Sequence, residues 1–146
     1  MIDLICGTIR FKKVIQNCIF FLAAVAGFLI GVWLSPQPQI TSFLPTEAET
    51  DLYKNGINTS AFVLGVFTSI FAVIAGRILK ISKINKICAV TLIGAFYIGI
   101  DSLRFGEFTL LNFNLLLMYL VGLVIVLSFE KLAMFILTQA NKKKIH

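Results

Sequence analysis

The stretch GRILKISKINK, residues 76–86, carries Arg77, Lys80, Lys83 and Lys86 without one acidic residue, and long apolar runs lie on both sides of it. Short loops rich in Lys and Arg stay on the cytoplasmic side of a membrane, because moving such charges through hydrocarbon is costly and the membrane potential opposes it. The flanking runs read as membrane-spanning helices, so the stretch is a cytoplasmic elbow joining two helical hairpins.

Outward from the elbow, the sequence predicts spans at 57–76 and 84–100, and beyond them at 14–34 and 110–129. The run 14–34 holds 21 uncharged residues, enough at about 1.5 Å per residue to cross a hydrocarbon core of about 30 Å. The expected fold is an all-α membrane protein: four transmembrane helices as two hairpins, N and C termini cytoplasmic, in a single polytopic domain over 1–146. An outside loop falls at 35–56, the cytoplasmic basic loop at 77–83, and a cytoplasmic helix extension at 130–144. Ala24 and Ala26 before Gly27 imitate a leader cleavage site. The apolar run continues through Trp33, however, which points to a retained anchor. Ahead of it, Ile2, Ile5 and Ile9 share one helical face, which fits either a short interfacial helix or a leader into the first span.

Composition agrees with this layout. A hydrophobic fraction of 58% in 146 residues and a mean hydropathy of +0.93 exceed what a soluble core of this size can hide. The net charge of +6 invites a nucleic-acid reading until its distribution is followed. Arg10, Lys12, Lys13, Arg77, Lys80, Lys83, Lys86, Lys131, Lys142, Lys143 and Lys144 fall inside, against Lys54 and Arg104 outside. The acids run the other way, with Glu47, Glu49, Asp51, Asp101 and Glu107 outside and Asp3 and Glu130 inside. Topology therefore accounts for the basic balance, and no direct nucleic-acid binding is expected. Cys6, Cys18 and Cys88 lie toward the reducing side, where no disulfide is expected.

Small residues recur at intervals of four in the spans: Ala23, Gly27 and Gly31; Ala61, Gly65 and Ser69; Ala95 and Gly99. Such faces let two backbones approach closely, which is how helices gain packing when lipid removes the hydrophobic drive. They serve contacts within one chain or between copies, and a homo-oligomer is expected. Outside, Asp101, Arg104, Glu107 and Asn112 form the best polar cluster, which a solvated hairpin tip also explains.

Chemistry is sparse. The only His is His146, no carboxylate pair sits within a span, and nothing has the pattern of a catalytic, cofactor or metal site. The sequence therefore predicts a non-enzymatic membrane protein without cofactors. It is expected to contact membrane lipids and to offer a basic cytoplasmic face to anionic lipid or to a soluble cytoplasmic protein. The alternative is an oligomeric channel or small transporter subunit, since polar residues near the span ends could line a shared path.

At the end of the fourth span, Glu130 and Lys131 are followed by the apolar segment 132–137, with Leu132, Phe135 and Ile136, before Lys142, Lys143 and Lys144. With Glu130 at the surface, three arrangements compete. The helix slides inward, bends along the interface, or docks its apolar end on a partner, and the sequence reading favours docking. In layout alone, the chain is similar to fluoride channels, lipid-linked sugar flippases, colicin immunity proteins and membrane subunits of anti-phage systems. The small multidrug transporters rely on an acidic residue in the first span, and 14–34 has none. The layout implies a bacterial inner (plasma) membrane and an anchor or sensor of the anti-phage defence, superinfection-exclusion or toxin-immunity type.

Overall fold

The computed structural model describes residues 2–35, 47–105 and 110–143, with side chains over 11–35, 48, 51–99 and 113–140. Within these the chain is all-helical: α1 (Ile2–Leu34), α2 (Glu47–Ile78), α3 (Lys83–Phe105) and α4 (Leu110–Lys143). Three segments, Phe11–Leu34, Asp51–Ile78 and Phe113–Ala140, are long and apolar enough to cross a membrane. The helices run well past the apolar spans read from the sequence. Hydropathy marks where a chain is apolar, whereas a helix continues until a breaker stops it. The EAETDLYKN opening of α2 is rich in good helix formers and contains neither Gly nor Pro.

The central helix is α2. It lies between α1 and α4, whose backbones do not approach one another closely among the described residues, and α3 packs across this layer against all three. Close approach along α2 depends on absent side chains. A Cβ on Gly27 would stand 2.7 Å from the Phe67 carbonyl oxygen and from Phe71 Cβ, and one on Gly31 would stand 3.1 Å from Leu64 Cα. On the other side of α2, a Cβ on Gly65 would collide with the Tyr119 carbonyl, and one on Gly122 would stand 2.8 Å from the Val66 nitrogen. These contacts make α1 antiparallel and α4 parallel to α2. The elbow thus lies at the end of the molecule where α1 begins and α4 finishes.

Phe20, Ala24, Leu64, Ala72, Val90, Ile93, Tyr119 and Leu123 form the main core cluster, with Leu79 and Ile81 of the elbow packed on it. The Tyr119 hydroxyl is buried there and donates to the Val90 carbonyl at 3.1 Å, joining α4 to α3. Tyr119→Phe is expected to cost about 1 kcal/mol, the net worth of one such bond, measured as a shift in SDS-titrated unfolding. Much of the remaining surface is apolar: Trp33 is 84% exposed, Phe96 71% and Phe129 67%. A surface of this kind is at home in hydrocarbon and untenable in water.

Candidate functional site

Most of the described charged side chains lie toward the elbow end. α2 ends there with Lys80 in the left-handed region, φ 55°. Ile81 N–H donates to the Gly76 carbonyl at 2.8 Å and Lys80 N–H to the Arg77 carbonyl at 3.3 Å, the paired bonds of a Schellman end. Glycine usually fills this position, because a side chain costs roughly 1 kcal/mol there. Ser82 then caps α3 by accepting the Asn85 N–H at 3.3 Å. Leu79 and Ile81 pack inward, so Lys80 and Lys83 point out and are exposed.

Lys86, by contrast, is 7% exposed. Its stem lies across Gly76, where a Cβ would meet Lys86 Cδ at 2.5 Å, so the missing side chain opens its route over α2. The ammonium donates to Glu130 Oε1 at 3.1 Å, and Arg77 Nε donates to the same oxygen at 3.1 Å. One carboxylate from α4 thus clamps the end of α2 and the start of α3. Two cations share it, and Lys80 and Lys83 have no ion pair among the described residues. The ensemble is therefore net positive.

Comparison of the chain with protein families, with characterised proteins and with solved structures finds no match.

Of the residues singled out in the sequence, Arg77 and Lys86 converge on Glu130, while Lys80 and Lys83 stand free beside them. Gly27, Gly31, Ala61, Gly65 and Ser69 are buried within the chain and Ala23 is half-buried, the neighbouring Ala24 being the fully buried one. These faces are occupied by α1, α2 and α4 themselves, so a second copy would have to meet another surface. Ala95 is exposed, and Gly99 meets no neighbour among the described residues. Leu132, Phe135 and Ile136 are exposed on the part of α4 beyond the clamp. Asp101, Arg104, Asn112, Lys142 and Lys143 lie where only helical backbone is described, and Glu107 and Lys144 lie outside the described residues. Among the described residues no three His, Cys, Asp or Glu side chains come together.

The sequence reading set Glu130 at the membrane surface and missed its pairing with Arg77 and Lys86. Its signal was present: the lone acid of the apolar stretch Phe113–Ala140, with apolar runs before Glu130 and after Lys131. An acid in that setting needs a cationic partner.

Proposed function

We propose that the chain is a non-enzymatic integral membrane protein with four spans and cytoplasmic termini, which presents a basic end to anionic lipid or to a soluble acidic partner. The observation that carries this reading is the charge placement. Lys12, Lys13, Lys80, Lys83 and Lys131 are exposed at the elbow end, whereas Asp51 and Lys54 pair with each other at the far end. Such an arrangement follows the inside bias of Lys and Arg. The fourth span is α3. It runs alongside α1, with the Phe28 and Tyr97 rings 5.3 Å apart, and it carries the chain back from the elbow. A bacterial inner membrane and an anchor or sensor role are the part of this reading that layout alone supports.

The test is thiol labelling in intact cells, on a background with Cys6, Cys18 and Cys88 changed to Ser. Thr50→Cys is expected to react with an impermeant reagent from outside, and Ser82→Cys only after permeabilisation. The reverse pattern would overturn the topology.

A further inference from the structure

The elbow is recessed relative to the helices on either side of it. Gly31 sits at Leu64 and Gly27 at Phe67 and Phe71, so Arg77 and its partner Glu130 fall level with residues 18–21 of α1. Past that level α1 still carries exposed Val14 and Ile15, and α4 still carries exposed Leu132, Phe135, Ile136 and Leu137. Gln16, Asn17 and Lys131 interrupt these runs, which end at Lys12 and Lys13 on α1 and at Thr138 and Gln139 on α4. A core of about 30 Å takes up about 20 residues; counted inward from Ser35 at the far end of α1, it also closes near Val14. The hydrocarbon boundary therefore runs near Lys13 and Thr138, and the Glu130 carboxylate lies roughly 10 Å of helix rise inside it. This register favours the inward position of α4 over a segment docked in water.

The recess is cationic, and an apolar groove leads from it. The groove, about 630 Å³, runs between α1 and α3 and is lined by Phe21, Val25, Phe28, Leu92, Ala95 and Phe96 among others. Phe21 stands at the level of the clamp, so the groove begins toward the elbow end, where Lys80 and Lys83 are exposed. Exposed cations without an ion pair among the described residues, at the end of the molecule from which an apolar groove leads inward, match an amphiphile with an anionic head and a long acyl chain.

We propose that the elbow recess and the α1–α3 groove together bind one anionic phospholipid of the inner leaflet, with its phosphate on Lys80 and Lys83 and an acyl chain in the groove. This rests on the membrane-spanning reading above and names the lipid that the basic end would take. The phosphate compensates cations held below the headgroup plane, and the chain fills the space that the limited α1–α3 contact leaves open.

The test uses the full chain, delipidated in mild detergent and examined by native mass spectrometry with dioleoyl phosphatidylglycerol, dioleoyl phosphatidylcholine or inorganic phosphate. One phosphatidylglycerol is expected to bind about tenfold or more in preference to phosphatidylcholine, since each basic residue near an anionic lipid adds a several-fold preference. Lys80→Gln with Lys83→Gln abolishes the preference, Ala95→Trp weakens both lipids by filling the groove, and Lys54→Gln at the far end changes neither. Equal binding of the two lipids, or a preference that survives the double lysine variant, would overturn the proposal. Displacement of the phospholipid by inorganic phosphate would make this a free-anion site and equally overturn it. Labelling of Ser82→Cys is independent: reaction from outside would sink the topology while leaving the lipid preference intact.

Discussion

Glu130→Gln is expected to destabilise the folded chain by about 3 kcal/mol, because removing one member of a buried ion pair leaves the other charge without compensation. Lys86 has a side chain 9% exposed, lies along Gly76, and finds in Glu130 its one ion-pair partner among the described residues. An amide at position 130 keeps an acceptor and removes the charge. Arg77, with a side chain 41% exposed, can turn to solvent or headgroups and loses less. The double variant Glu130→Gln with Lys86→Met should recover most of the loss, since no uncompensated ammonium is then buried. SDS-titrated unfolding of both variants decides the matter. A double variant as weak as the single would show that the cost comes from packing and not from charge.

Gly65→Ala is expected to cost about 2 kcal/mol, within the range for forcing a methyl into a packed core. The added Cβ would meet the Tyr119 backbone carbonyl, which cannot rotate away as a flexible side chain would. α2 and α4 must then part, and Gly122 loses its seat on Val66 in the same movement. Gly99→Ala is the matched control. Among the described residues nothing lies within 4 Å of its added Cβ, so it should be neutral or gain up to about 1 kcal/mol from helix propensity. The same titration applied to both would contradict this account if the two substitutions behaved alike.

The helical character and the basic elbow were legible because each rests on a local signal, an uninterrupted apolar run in one case and cations without acids in the other. The spacing of Gly27, Gly31 and Gly65 was legible too, but not what each would face. Ala95 and Gly99 have the same spacing, yet Ala95 lies at an open groove and Gly99 meets no neighbour among the described residues. Spacing defines a stripe on a cylinder and carries no record of the neighbouring cylinder. On α1 the buried stripe is Phe20, Ala24, Gly27 and Gly31, and Ala23 is displaced because it sits about 100° around the helix from Ala24. Glu130 was placed at the surface for a related reason. Its partners are 53 and 44 residues away, and the height at which α4 seats against α2 is set by Gly65 and Gly122, not by the residues around Glu130.

Lys80 bears on how the elbow meets an anion. A long cationic side chain on a loose loop surrenders conformational freedom when it binds, and that loss subtracts from affinity. Here the two backbone bonds of the α2 terminus fix the Cα of Lys80, while Leu79 and Ile81 anchor the turn on either side. Only the side-chain rotors remain to be ordered. The strain of a left-handed lysine is thus incurred during folding, before any ligand arrives, and the proposed anionic headgroup would meet a preorganised receptor.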